Sequence, residues 1–283
     1  MQLIPVLNGN VRLSVMTLGP AQSLERPCVF LHGLVTGNIS TWYSVAALEM
    51  ARDRQVILYD LRGHGDSAVP ASGYDLDTQA EDLACVLDAT VPDGEMVDLV
   101  GHSLGALIAL RFALRFGKKV KHRVGRLILV DAPMPACEWV RPSLEQVQSP
   151  QALDDWLRSA PAMIGQLTGR RLERLSRRLQ QLFFETSLVQ DVCNMQAESP
   201  DDLRALTLPV TLVYGKQSPC RPVANTLRKL LPIRALLLID CGHYIPSEAP
   251  EPLRDVVVGT LRYETAEESL QEKPVADAVQ VSA

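Results

Sequence analysis

Five consecutive residues, Gly101-His102-Ser103-Leu104-Gly105, carry the spacing G-x-S-x-G. A serine in that frame can serve as a nucleophile if the chain around it is a strand, a tight turn and then a helix. Residues 96–100, MVDLV, have strand character, and residues 106–113, ALIALRFA, are an apolar run of helical type. The flanking glycines fit a strained turn, where a Cβ on either side would meet the neighbouring strand or helix. A helix starting behind Ser103 would aim unpaired N–H groups at the hydroxyl and favour negative charge there.

Serine is a weak nucleophile until a base takes its proton, and the side chain suited to that near neutral pH is histidine. The five histidines are His32, His64, His102, His122 and His243. His102 is pinned beside Ser103 and cannot swing onto it. His122 lies in the charged stretch KKVKHR at 118–123, which reads as a surface turn. His32 and His64 follow strands within glycine-rich turns and are suited to holding loops. His243 sits in Cys241-Gly242-His243-Tyr244, just after the last long strand, on a loop that can reach the strand ends where Ser103 is displayed. It is the candidate base.

The elements that must position these groups alternate. Strands are expected at 2–7 and 11–18, joined by Asn8-Gly9, and then at 28–31, 55–59, 96–100, 125–130, 209–214 and 235–239. Helical spacing appears over 41–52, from Leu76 to Leu87, after the serine turn, and around 222–231. Short runs that are apolar throughout suggest strands buried on both faces. The expected fold is therefore α/β: a mostly parallel eight-stranded sheet flanked by helices. From about 134 to 206 the alternation stops and the chain is helical, rich in Leu, Arg and Gln. It reads as a helical cap inserted into a core made of 1–133 and 207–263. Residues 264–283 are acidic and poor in aromatics, which suggests a flexible tail.

With these landmarks in order, the chain resembles the α/β-hydrolases. The matching segments are Leu31-His32-Gly33-Leu34, the run YDLRGHGDS at 59–67, the serine turn at 101–105, and Gly242-His243 with Glu248-Ala249-Pro250-Glu251. The resemblance implies an oxyanion hole made by the backbone N–H groups of Leu34 and Leu104. It also implies an acid in a Gly-x-x-Asp pattern after the seventh strand, but this chain reads Gly215-Lys216-Gln217-Ser218 there, with Ser218 in the acid's place. A hydroxyl can orient an imidazole but cannot neutralise an imidazolium. A minority of the family takes its acid from the end of the sixth strand, which here is Asp131; otherwise Asp131 ties down the loop that follows it. Asp240 is the alternative acid, on a short connection that points it away from His243.

A serine nucleophile implies acyl transfer to water, on an ester or thioester of a small, partly apolar acyl group. The alternatives are carbon–carbon bond hydrolysis or a lyase reaction on the same fold, and a non-catalytic ligand-binding homologue. No cofactor or metal is expected. Within the cap, Arg170, Arg171, Arg174, Arg177 and Arg178 fall within an arc of roughly 120° at helical spacing. That face is either simply solvated or suited to a phosphate-bearing partner such as coenzyme A, a phosphopantetheine thioester or an acyl carrier protein. Trp139 and Phe183 are candidate substrate contacts; Trp156, Met163 and Phe184 are further pocket or packing residues. A net charge of -5 argues against nucleic acid as a partner. Six scattered cysteines without C-x-x-C, no signal-like start and no long apolar run suggest a protein of a reducing compartment, the cytoplasm.

Overall fold

The computed structural model describes residues 1–35, 37–116, 123–134, 144–159, 168–263 and 279–281. The eight strands expected from the sequence are present: β1 Gln2–Asn8, β2 Val11–Leu18, β3 Cys28–Leu31, β4 Val56–Tyr59, β5 Met96–His102, β6 Arg123–Val130, β7 Val210–Gly215 and β8 Ile233–Ile239. A short ninth strand, β9 Val279–Val281, lies beside β8 at one edge. The expected tail otherwise falls outside the described residues.

The strands lie in the order β1-β2-β4-β3-β5-β6-β7-β8-β9. The β1–β2 and β2–β4 pairs are antiparallel, and every pair from β4 onward is parallel. From β3 the chain steps outward to β4, then returns to the other side of β3 with β5. Strand order therefore reverses at the β3–β5 boundary, and in open α/β sheets that boundary opens a crevice at the carboxyl ends of the strands. The loops after β3 and β5 meet at this crevice.

Successive residues of the central strands face opposite sides, as the pleat requires. Val29 and Leu31 enter one apolar layer with Leu83, Leu87, Ile108, Phe112 and Leu227. Cys28 and Phe30 enter the other with Trp42, Met50, Leu253 and Val257. Burial on both faces accounts for the unbroken apolar runs of β3 and β4, every residue of which is buried. The first layer is covered by the helices Leu76–Thr90, Leu104–Arg115 and Arg221–Leu230. The second is covered by Pro250–Tyr263 and by a segment that the sequence suggests is plain helix. That segment runs instead as helix Ile39–Trp42, a π-helical turn Tyr43–Ala47 and helix Leu48–Met50. Within it, the Trp42 Nε1–H donates to the Leu31 carbonyl at 2.9 Å, fastening the end of β3.

Between β6 and β7 the chain forms the helices Pro150–Ser159, Gly169–Glu185, Leu188–Asn194 and Pro200–Arg204, with no strand among the described residues there. Leu179, Leu182, Leu188 and Leu203 join the first apolar layer, and polar ties add to that packing. Tyr74 N–H donates to Asp191 at 2.9 Å, Ser187 N–H donates to the Ala71 carbonyl at 2.9 Å, and Arg111 of the helix Leu104–Arg115 pairs with Glu198. Among the described residues no helix is long and apolar enough to cross a membrane, and no disulfide joins the five cysteines there.

The helix behind Ser103 depends on Phe112, fully buried and stacked on Phe116 with ring centres 5.3 Å apart. Phe112→Ala should destabilise the fold by about 3–5 kcal/mol through loss of buried surface and the cavity left behind. Urea denaturation measures this, and a loss under about 1 kcal/mol would contradict the packing described.

Candidate active site

Ser103 stands between the last residue of β5 and the helix Leu104–Arg115, with φ +54° and ψ −118°. The turn is tight enough to exclude side chains on both flanks. A Cβ on Gly101 would sit 2.3 Å from the Gly105 carbonyl oxygen, and one on Gly105 would sit 2.5 Å from the Leu31 and His32 carbonyl oxygens. The hydroxyl is thereby held half-buried at the strand ends.

Three side chains meet in a line. Ser103 Oγ–H donates to His243 Nε2 at 3.0 Å, and His243 Nδ1–H donates to Asp131 Oδ2 at 2.6 Å. Asp131 is fully buried and His243 nearly so. Asp131 comes from the end of β6, and its backbone N–H extends the ladder by donating to Val213 of β7 at 2.7 Å. Its φ is then +47°, which turns the carboxylate toward the loop after β8. Ser103, Asp131 and Val35 are the three non-glycine residues with positive φ among those described, and all three lie at this strand end. Concentrated backbone strain of this kind accompanies functional sites and persists only where the surroundings over-determine it.

Asp131 is held from two further directions. Gly215 N–H donates to Oδ1 at 2.9 Å, and Ser218 Oγ–H donates to Oδ2 at 2.5 Å. Ser218 Oγ in turn accepts the Cys220 N–H at 3.0 Å. Thus the serine standing where an acid was expected is a hydrogen-bond donor to the carboxylate on the neighbouring strand. Sequence reasoning registers Ser218 only as a missing acid; a link between strand ends leaves no mark in local spacing. Cys220, which the sequence presents only as one of six scattered cysteines, has its Sγ 3.6 Å from His243 Nδ1. Asp240 is elsewhere: it is exposed and accepts from Gln217 Nε2 at 2.6 Å.

The loop after β3 passes beside the serine. A Cβ on Gly33 would lie 3.2 Å from Ser103 Cβ, so Leu34 follows directly at that point. Leu104 opens the helix, where its N–H has no preceding helical carbonyl to bond. His32 braces this loop. Its Nε2 accepts the Leu61 N–H at 3.0 Å, which leaves Nδ1–H to donate to the Gly33 carbonyl at 2.8 Å. His102 Nε2–H donates to the His243 carbonyl at 2.9 Å and fixes the loop that carries His243. His64 Nδ1–H donates to the Arg62 carbonyl at 3.0 Å. His122 lies outside the described residues.

Of the substrate-contact candidates, Phe183 is buried in the helix Gly169–Glu185 with its ring centre 6.1 Å from that of Trp156, while Trp139 and Met163 lie outside the described residues. Phe184, 40% exposed, packs on Phe183. Arg170, Arg171, Arg174 and Arg177 are exposed, and Arg178 is half-buried with its guanidinium donating to the Gly65 carbonyl.

Residues 28–256 match the alpha/beta hydrolase family, and the chain belongs to it. It is 30% identical over 210 residues to the AB hydrolase superfamily protein YisY of Bacillus subtilis, covering 70% of this chain and 76% of that one. It is 26% identical over 261 residues to a 2-hydroxy-6-oxo-2,4-heptadienoate hydrolase of Pseudomonas putida, covering 86% of this chain and 90% of the relative. Among solved structures, a hydrolase from Pseudomonas aeruginosa PA01 superposes with a TM-score of 0.73 at 20% identity, over 92% of this chain and 98% of that one, a likeness of fold.

Burial has a consequence for acid stability. Desolvation holds His32 down at about 4, and His64 and His102 at about 3, so all three are neutral in the fold. In the unfolded chain they titrate near 6.5, so below that pH unfolding takes up protons and stability falls. Each contributes about 1.4 kcal/mol per pH unit as pH drops from about 6.5 toward about 4. Asp98, pushed up to about 6 by desolvation, has the opposite sign and offsets one of the three between its folded and unfolded values. The urea midpoint should therefore fall steeply between pH 7 and about 4.5, with net proton uptake on unfolding. A midpoint independent of pH there would refute the neutral, buried assignment.

Proposed function

We propose that the protein is a serine hydrolase that cleaves an ester or thioester of a small, partly apolar acyl group. The observation that carries this is the continuous hydrogen-bonded line from Ser103 Oγ through His243 to buried Asp131. In this reading Ser103 Oγ attacks the acyl carbonyl carbon as its proton passes to His243 Nε2. The oxyanion is met by the N–H groups of Leu34 and Leu104. Asp131 stabilises the imidazolium. The tetrahedral species collapses as the bond to the alkoxide or thiolate breaks, and that group takes the proton from Nε2. Water then gives a proton to His243 and attacks the acyl-serine, releasing the acid and restoring Ser103. Five described cysteines without a disulfide fit a cytoplasmic setting.

A second reading, hydrolysis of a carbon–carbon bond in a diketone, draws support from the likeness to the 2-hydroxy-6-oxo-2,4-heptadienoate hydrolase. A panel of p-nitrophenyl esters, acyl-coenzyme A thioesters, lactones and vinylogous diketones separates the two. Ser103 should be labelled by a fluorophosphonate, and Ser103→Ala should abolish both labelling and turnover. Asp131→Asn should cut turnover by about 10,000-fold and Ser218→Ala by about tenfold, with Asp240→Asn near wild type. Absence of labelling on folded protein would sink the serine-hydrolase reading, and a large Asp240 effect would reassign the acid.

The exposed arginines of Gly169–Glu185 fit a phosphate-bearing leaving group, either coenzyme A or the phosphopantetheine arm of an acyl carrier protein. Reversing the charge of Arg170, Arg171 and Arg174 should lower kcat/KM for acyl-coenzyme A by about tenfold while sparing p-nitrophenyl esters, and the wild-type preference should fade with salt. Equal, salt-independent rates on both substrates would remove this partner class.

A further inference from the structure

Asp131, Cys220 and His243 form a cluster of another kind at the same strand ends. A carboxylate oxygen, the thiol sulfur and an imidazole nitrogen lie within 4.8 Å of one another, and all three residues are buried. Cys220 Sγ is 3.6 Å from His243 Nδ1, and Asp131 Oδ2 is 2.6 Å from the same nitrogen. Cys220 is kept in place by its own N–H bond to Ser218 and by the helix Arg221–Leu230 that starts immediately after it.

A sulfur, a nitrogen and an oxygen atom this close together make up the ligand set of a zinc-class ion. In a tetrahedral site with Zn–S about 2.3 Å and Zn–N about 2.0 Å, the sulfur–nitrogen edge is about 3.6 Å. That separation is already present. The nitrogen–oxygen pair would need to open by roughly 0.8 Å, a small side-chain rotation. The charges also match, since a thiolate and a carboxylate together balance a divalent cation.

We propose that Asp131, Cys220 and His243 bind a zinc-class divalent cation and that binding switches the hydrolase off. The switching half rests on the assignment of Ser103, His243 and Asp131 as the catalytic set. The proton balance explains it. On binding, the cation takes the Nδ1 lone pair, so the imidazole proton moves from Nδ1 to Nε2. The Cys220 thiol gives one proton to solvent and its sulfur bonds the ion. Nε2 then carries a hydrogen where it must accept one from Ser103, and the base is lost. No redox step or co-reactant is involved.

The test uses the full chain, stripped with a chelator and titrated with cadmium or zinc chloride. Cadmium should produce a thiolate-to-cadmium charge-transfer band equivalent to one site per chain, which Cys220→Ala lacks. Saturating zinc should lower wild-type ester hydrolysis by about 100-fold, reversibly with chelator, whereas Cys220→Ala should stay within about twofold of its own zinc-free rate. Cys220→Ser serves the same comparison if the alanine variant does not fold. Equal zinc inhibition of wild type and variant, or cadmium bands that do not differ between them, would overturn the proposal. If no substrate is turned over, the hydrolase reading is what fails, and the cadmium band alone still decides the site.

Discussion

The buried carboxylate of Asp131 is the constraint around which this strand end is organised. A carboxylate removed from water costs several kcal/mol unless its lone pairs are filled, and Asp131 is fully buried. Three donors fill them: Gly215 N–H from the end of β7, Ser218 Oγ–H from the loop beyond, and His243 Nδ1–H from the loop after β8. Two come from the turn that ends β7 and one from the loop after β8, so satisfying one charge at the end of β6 locks three strand ends together. The same bonds explain how Asp131 tolerates a left-handed backbone, a strain that these contacts offset.

Neutral imidazoles extend this locking across the sheet. A neutral ring has one donor and one acceptor, and burial keeps it neutral. His32 uses both ends to tie the loop after β3 to the loop after β4. His102 uses its Nε2–H to hold the His243 carbonyl. Trp42 fastens β3 from the other layer. The groups that surround Ser103 are therefore placed by side chains that themselves cannot change protonation near neutral pH. A proton on His32 Nε2 would displace the Leu61 N–H and break that two-ended brace.

Much of this was legible in the sequence because it is local. The serine turn is written in five adjacent residues, and the strands in short runs whose unbroken apolar character reports burial on both faces. The candidate base, His243, follows from elimination among five histidines. What was not legible depends on neighbours that only the parallel register creates. Ser218 and Asp131 are far apart in sequence but meet because β6 and β7 pair from Leu127↔Val210 to Val130↔Val213. The π-helical turn at Tyr43–Ala47 interrupts a segment whose apolar spacing is compatible with plain helix. Cys220 reads as an ordinary small hydrophobe until the loop folds back on His243.

A carboxylate on β6 opposite a serine beyond β7 has a simple physical basis. Neighbouring strands lie about 4.8 Å apart, so a carboxylate at the end of either β6 or β7 can reach the same imidazole nitrogen. Two carboxylates there would repel each other, and one would be driven to protonate. A chain that places its carboxylate on β6 therefore gains by having a neutral group on β7, and best a donor, which fills a lone pair that a second acid would leave in conflict. Ser218 meets that requirement: its hydroxyl donates to Asp131 while its oxygen accepts the Cys220 N–H. The residue that looks like a defect in a linear pattern is, in space, the complement of the carboxylate beside it.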